Sequence, residues 1–416
     1  MIHPNPGTYS KILLVNCAAC HGILSWSESQ GVINGNESKD TNSYYKEAYT
    51  SQKIQTLSAL AKWTYACLGV NSNKAAFRKG WLQTNYSTLN TWHEELGYIC
   101  RNAPKLLANQ KSINDPKDPA AMLRCYSQLL DNPDNLRSEG IDEHIDDRES
   151  DLKLSEAVYE HNFHKPLSEA LHQLASNPFD QNEPLVVVDV GAGGGGVLLN
   201  AGETLRNQGY NIVLIAVDPS PIARKACQER LQKLPSVGIQ VIDGSIEEPM
   251  LIIKKIQELN IPLKRVIVLA KAALHDRKLK EPTTDTTEIA QYVKEVECND
   301  ENPISVYRDE RWSLVGRNRV INDMVNLINN WHNLVPNAAF ILMESHIVSP
   351  AIVNTHLKTV PLMPAYLAHA LSCQYLLTAD DHFGALKATK IPIQSFKTMQ
   401  KLANNQPLMS LAVLSR

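Results

Sequence analysis

Three short segments carry most of the chemistry in this chain. Leu274-His275-Asp276 sets an imidazole next to a carboxylate, and Glu344-Ser345-His346 sets an acid and an imidazole two residues apart. Imidazole changes charge near neutral pH, so it can take or give a proton, and in its neutral form it ligates metals. The third segment is Asp189-Val-Gly191-Ala-Gly193-Gly194-Gly195-Gly196. Glycine lets a backbone turn through left-handed conformations and approach a ligand closely, and a helix starting just beyond offers free N–H groups to a polar or anionic group. Asp218 suits a pair of neighbouring hydroxyls, and Asp243-Gly244-Ser245 makes a compact polar turn.

These residues need a frame. Leu185-Val-Val-Val-Asp-Val190 is a short apolar run broken only by its acid. Asn211 to Val217, Gly238 to Ile242, Arg265 to Leu269 and Ala339 to Met343 read as further buried strands, and Met409 to Leu414 as a last one. Helical spacing of apolar residues runs over Val197 to Gln208, Ile222 to Lys233, Pro249 to Leu259 and Arg319 to Leu334. Buried strands alternating with helices predict an α/β fold with a parallel, doubly wound sheet. Each chemical segment then falls at the carboxyl end of a strand, where such sheets bind ligands. Upstream the chain reads as helical, with apolar periodicity over Ile54 to Leu68, Ser87 to Ile99, Leu152 to His161 and Lys165 to Ala175, and a polar connection over Asp131 to Asp151. The expected organisation is a helical domain over 1–160 and an α/β domain over 161–416, the latter with an inserted polar loop over 277–312. A further helix is expected over Leu362 to Leu377, carrying His369 and Gln374.

The glycine segment fits two cofactor classes. Gly191, Gly193 and Gly196 satisfy the dinucleotide pattern G-x-G-x-x-G. Asp189, Gly191, Gly193 and Gly195 satisfy D-x-G-x-G-x-G, the pattern of class I S-adenosylmethionine (SAM) methyltransferases. The order of acids favours the second: Asp189 before the glycines, Asp218 ending the second strand to take a ribose diol, and Asp243-Gly244-Ser245 ending the third beside an adenine. Leu274-His275-Asp276 resembles the Leu-His-Asp segment of the small-molecule O-methyltransferases, whose histidine is commonly the general base. His275 and His346 would both stand at the carboxyl edges of neighbouring strands, where one ion could bridge them.

With Glu344-Ser345-His346 and the long helical N-terminal region, the chain also resembles the iron-dependent C-methyltransferase domains of cyanobacterial polyketide synthase loading modules of the apratoxin type. This resemblance implies a Rossmann-like methyltransferase core behind an N-terminal helical lid domain. It implies SAM, and one mononuclear metal, iron or else manganese, held by His275, His346 and Gln374. His369, His356 and His382 stand as alternatives for the third position. The implied substrate is a malonyl-type acyl group on the phosphopantetheine of an acyl carrier protein, with neighbouring polyketide synthase domains as partners. The ion would stabilise an enolate, and Asp276 or Tyr307 near it would take the α-proton. Arg308 or Arg311 could grip a carboxylate or the phosphopantetheine phosphate. Two other readings stay open. One is a metal-independent small-molecule O-methyltransferase with His275 as base and His346 hydrogen-bonded to Glu344. The other is a degenerate methyltransferase fold serving as a docking module, against which the intact glycine segment and Asp218 count.

Composition narrows the field. Lys and Arg number 41 against 44 Asp and Glu in 416 residues, a net charge of −3. That balance argues against a nucleic-acid partner or a polybasic membrane contact. No apolar run approaches the roughly 18–20 residues of a membrane span, and Ile12 to Val15 is too short for a secretory core. Eight scattered cysteines are expected as reduced thiols in a cytoplasmic protein. Cys17-Ala-Ala-Cys20-His21 matches a haem-attachment pattern, but such attachment needs export, so a helical pair of buried thiols is expected instead.

Overall fold

A computed structural model of the chain describes residues 158–175, 184–234, 237–280, 305–309, 313–356, 373–402 and 405–415, with helical positions 56, 59, 60, 63, 66, 67, 156, 362, 366, 369 and 370 beside them. Most of the expected N-terminal domain, the Cys17, Cys20 and His21 cluster, Arg311 and the greater part of the polar loop lie outside the described residues.

Helix α1 (His164–Ala175) precedes β1 (Leu185–Val190), α2 (Gly196–Asn207), β2 (Ile212–Val217), α3 (Pro221–Leu231), β3 (Gly238–Ile242), α4 (Pro249–Glu258) and β4 (Val266–Lys271). There follow β5 (Tyr307–Arg308), β6 (Leu314–Val315), α5 (Arg317–Leu334), β7 (Ala339–Ser345), α6 (Pro350–Thr355), α7 (Ala379–Ala388), β8 (Ile393–Lys401) and β9 (Pro407–Leu414). Seven strands form one sheet in the order β3-β2-β1-β4-β7-β9-β8. The first five run parallel, and β9 pairs antiparallel with both β7 and β8. β5 and β6 make a separate antiparallel pair.

The apolar runs explain the layers. Every residue of β1 is buried, as a strand covered by helices on both faces requires. Alternation sends Val186, Val188 and Val190 to one face, where they join Ile252 and Ile256 of α4 and Val320, Met324 and Trp331 of α5. Leu185 and Val187 go to the other, with Leu167 and Leu171 of α1 and Leu198, Ala201 and Leu205 of α2. Asp189 shares the parity of this second face.

Two expectations are corrected. β8 was not anticipated: Ile393-Gln-Ser-Phe-Lys-Thr-Met-Gln-Lys401 is an edge strand, only partly buried, and lacks the continuous apolar run of the inner strands. The expected helix over Leu362 to Leu377 holds at 362, 366, 369 and 370 but does not reach Gln374. Cys373 takes a left-handed φ of 56°. Beyond it the backbone is drawn onto the sheet edge, with Tyr375 N–H donating to His275 O at 2.6 Å and Ile347 N–H donating to Leu377 O at 3.1 Å.

Helix α2 lies unusually close to β2 at Gly202, where an added Cβ would come within 2.8 Å of both Leu214 Cδ1 and Leu234 Cδ1. Alanine is the better helix former, yet overpacking there outweighs the gain in propensity. Gly202→Ala is expected to lower stability by about 1 kcal/mol, read from the urea midpoint; a rise in the midpoint would mean that α2 can move away from the sheet.

Candidate active site

The glycine segment forms the turn from β1 into α2. Gly191, Gly193 and Gly195 have φ of 77°, 52° and 79°, values that a side chain strains against. A Cβ on Gly195 would also sit 2.7 Å from Cys227 Sγ. Gly191 N–H and Ala192 N–H both donate to Val217 O, at 2.8 and 3.1 Å, which ties the turn to the end of β2. Asp218 completes the tie: its Oδ2 accepts from Gly193 N–H at 2.8 Å and its Oδ1 from Ser220 N–H at 2.9 Å. Each of its two oxygens thus accepts from a backbone N–H of the glycine turn or of the start of α3.

Beneath the turn lies Asp189, only 1% exposed, with no hydrogen bond to either carboxylate oxygen. Burial pushes its pKa up to about 7, with Lys271 pulling the other way. Helix α2 opens on Gly195 with no side-chain cap, so its first N–H groups are left for an acceptor. An unpaired buried carboxylate beside an uncapped helix start suits a ligand that is cationic and anionic at once, as the methionine part of SAM is.

The end of β3 is held by cations. Arg224 Nη1 donates to Asp218 O at 2.8 Å and to Asp243 Oδ1 at 2.7 Å, bridging the ends of β2 and β3. Ser245 Oγ donates to Glu247. Gly244 is small for packing reasons, since a Cβ there would meet Val217 at 3.1 Å and Ile252 at 3.2 Å.

The acid–imidazole segments meet across β4 and β7. Their parallel register pairs Lys271 with Met343, and Ala272 N–H extends it by donating to Met343 O at 2.8 Å. Ala272 then takes a left-handed φ of 56°, turning the chain over the end of β7. Glu344 receives it there. Its Oε2 lies 2.7 Å from His275 Nδ1 and its Oε1 accepts from Leu274 N–H at 2.8 Å. His275 is 7% exposed and Glu344 3%. Burial disfavours the imidazolium, but the Glu344 charge and hydrogen bond outweigh it and hold the His275 pKa above its usual value. The same attraction prevails over burial to hold the Glu344 pKa low. With Nδ1–H committed to Glu344, Nε2 is the basic atom of His275.

The other expected site residues are placed as follows. His346 is buried; its Nε2 lies 2.7 Å from Ser410 Oγ and its Nδ1 has no hydrogen-bond partner. Its ring centroid is 5.2 Å from that of His382. Burial drives the His346 pKa down to about 3 and the His382 pKa down to about 4, so both are neutral near pH 7. Gln374 donates through Nε2 to Asp276 Oδ1 at 3.0 Å, on an exposed edge. Tyr307 OH donates to Leu376 O at 2.6 Å, and burial raises its pKa. His369 lies with its ring 5.4 Å from His275, whereas His356 bonds within its own turn to Thr355 and Ile352. Arg308 is 1% exposed and donates to Asp309 O at 3.1 Å. Glu344 is thus the partner of His275, not of His346, and Ser410 on β9 occupies the His346 ring. Sequence spacing could not assign these partners, because residues two apart on a strand point the same way.

The region 142–413 matches the family described as the AprA MT2-like domain. None of the curated proteins matches the chain in sequence. Solved structures of similar fold include the DszA carbon methyltransferase, with a TM-score of 0.49, 14% identity and coverage of 97% of this chain and 89% of that one. The CurJ carbon methyltransferase gives 0.47 and 12%, covering 100% and 94%. The citrinin polyketide synthase CMeT domain gives 0.42 and 12%, covering 94% and 95%. The family match takes in the glycine turn, the His275–Glu344 pair and the whole seven-stranded sheet, and the chain belongs to the AprA MT2-like methyltransferase family, as a SAM-dependent methyltransferase.

Proposed function

We propose that the protein methylates carbon in a malonyl-type acyl group carried on the phosphopantetheine of an acyl carrier protein in polyketide biosynthesis, with His275 as the base. SAM is placed on the glycine turn, with Asp218 at its ribose, the Asp243–Ser245 turn towards its adenine, and Asp189 beneath its methionine part. The observation that carries the reading is the buried hydrogen bond from His275 Nδ1 to Glu344, at the carboxyl edges of β4 and β7.

Carbon methylation needs an α-carbanion or enolate, so a proton must leave carbon. His275 Nε2 takes that proton, and Glu344 stabilises the imidazolium that forms. The C–H electron pair moves onto the thioester enolate. The enolate carbon then bonds to the methyl group, and sulfur leaves with the old bond pair as S-adenosylhomocysteine. The rest of the gain is positioning of donor against acceptor. Asp276 and Tyr307 serve this role less well, the first being exposed and held by Gln374, the second spending its proton on Leu376 O. The division at about residue 160 into a helical lid and a catalytic core, with neighbouring synthase domains as partners, belongs to the same proposal. Among the described residues no helix is long and apolar enough to cross a membrane.

The metal implied by the apratoxin-type resemblance fits this geometry poorly. Among the described residues no three His, Cys, Asp or Glu side chains are grouped to hold an ion. His275 bonds Glu344 through Nδ1 and keeps only Nε2 for any other partner, whereas His346 Nε2 lies against Ser410 with His382 beside the ring and the Gln374 amide donates to Asp276. No step is therefore routed through iron or manganese. Elemental analysis of the purified protein is expected to find far less than one equivalent of metal, with activity surviving chelation. Stoichiometric iron that disappears in both His275→Ala and His346→Ala would reverse this assignment.

His275→Ala is expected to slow methylation of a malonyl-loaded carrier by about a hundredfold to ten-thousandfold, followed by intact mass as the loss of one methyl increment. A wild-type rate would remove His275 from the mechanism, and transfer only to a free hydroxyl would point to O-methylation. The pH profile has a defined sign. The neutral imidazole is the active form and its pKa is raised, so the rate should climb through a pKa above 6.5. Glu344→Gln removes the attraction, and the acid limb should move to lower pH while the plateau falls by about tenfold to a hundredfold. A limb that stays in place would show that another group is titrating.

A further inference from the structure

The glycine segment contains more glycine than its turn requires. Gly191, Gly193 and Gly195 need a positive φ, but Gly194 and Gly196 do not. What crowds these two is a pair of charged side chains. A Cβ on Gly194 would sit 2.7 Å from Glu156 Oε1 and 3.7 Å from Arg230 Nη1, and one on Gly196 would sit 3.1 Å from Arg230 Nη1 and 3.6 Å from Glu156 Cγ. Arg230, in the last turn of α3, is ion-paired with Glu156, and each side chain is 29% exposed. The pair lies across the start of α2. Glu156 belongs to the helical stretch that also carries Tyr159, and Tyr159 is fixed from below, its hydroxyl accepting from Asn200 Nδ2 of α2 at 2.5 Å. The segment ahead of the catalytic sheet is therefore tied to α3 by charge, across the first residue of α2, and to α2 itself one turn further along by a buried hydrogen bond.

We propose that Glu156 and Arg230 form an ionic latch over the glycine turn, so that the helical segment ahead of the sheet sets the affinity for SAM. The latch rests on the placement of SAM at this turn proposed above. Arg230 alone would bring an uncompensated cation to the end of α2 where the donor's charges are received, and Glu156 alone would bring an anion. Paired, they press the turn into shape while adding no net charge. Both are positioning residues, since they reach the cofactor only through the backbone of Gly194 and Gly196.

The test is calorimetric titration of SAM into the full chain at low and high salt. Glu156→Gln and Arg230→Gln should each weaken binding by about 1.5-fold to fivefold, the range of a partly exposed ion pair. The charge-swapped double variant Glu156→Arg with Arg230→Glu should recover most of that loss. Wild-type affinity should fall with added salt more steeply than that of either single variant, and the KM for SAM should rise by a larger factor than kcat falls. Gly194→Ala, which keeps an ordinary φ but puts a methyl group where the Glu156 carboxylate lies, should reproduce the single-variant loss and also reports if a charge variant fails to fold. Single variants and Gly194→Ala that bind as wild type would overturn the latch, as would a charge swap that restores nothing. Asp218→Asn separates the two proposals. If it abolishes binding while the latch variants do not, only the latch fails. If it too binds as wild type, SAM does not sit at this turn and both proposals fall.

Discussion

A buried carboxylate that keeps its charge needs donors or a counter-charge, and Glu344 shows what that demands of a fold. It is 3% exposed at the end of the inner strand β7, where an unpaired charge would be very costly. His275 and the Leu274 N–H answer it with two hydrogen bonds. Both come from the residues just past β4, so the β4–β7 register must place them to within a fraction of an ångström. The left-handed turn at Ala272 is part of the same arrangement, because an extended chain would carry Leu274 and His275 past the carboxylate. The imidazole is consequently oriented and made more basic by the buried carboxylate of Glu344.

The sheet makes such placement stable. β1 and β4 are buried between two helical layers, with valine and isoleucine interdigitating on one face and the α1 and α2 residues filling the other. Charged groups inside are matched locally. Arg277 donates from Nε to Asp323 at 2.6 Å and from Nη2 to Val320 O at 2.5 Å, which pins the chain after His275 to α5. Arg317 forks onto Asp381 and joins the start of α5 to α7. These pairs cross between segments far apart in sequence. Among the described residues Asp189 is the buried acid whose oxygens accept no hydrogen bond, and it lies beneath the glycine turn.

The sheet was legible in the sequence wherever strands are buried on both faces. Leu185 to Val190 and Ala339 to Met343 announce themselves because a fully covered strand must be apolar throughout. β8 hid behind its lysines, glutamines and serine, since an edge strand keeps one side wet. The glycine turn and its acids were legible because special backbone angles demand a special residue. The His275–Glu344 pairing was not, for strand alternation places Glu344 and His346 on the same side and leaves the choice of partner to the neighbouring strands. Gln374 was misplaced for a related reason. Its helical spacing is real up to 370, but contacts of Tyr375 and Leu377 with distant segments end the helix, and no local residue signals them.

The position of β9 carries a consequence for the order of assembly. Among the described strands it comes last along the chain, yet it lies inside the sheet, between β7 and β8. Until it is synthesised, β7 presents one unpaired, largely apolar border, and His346 lacks both the carbonyl of Leu408 and the hydroxyl of Ser410. Such borders recruit neighbouring strands from other molecules. A chain at that stage exposes the kind of unpaired apolar border that favours association, and His346 gains its Ser410 and Leu408 partners only when β9 pairs with β7.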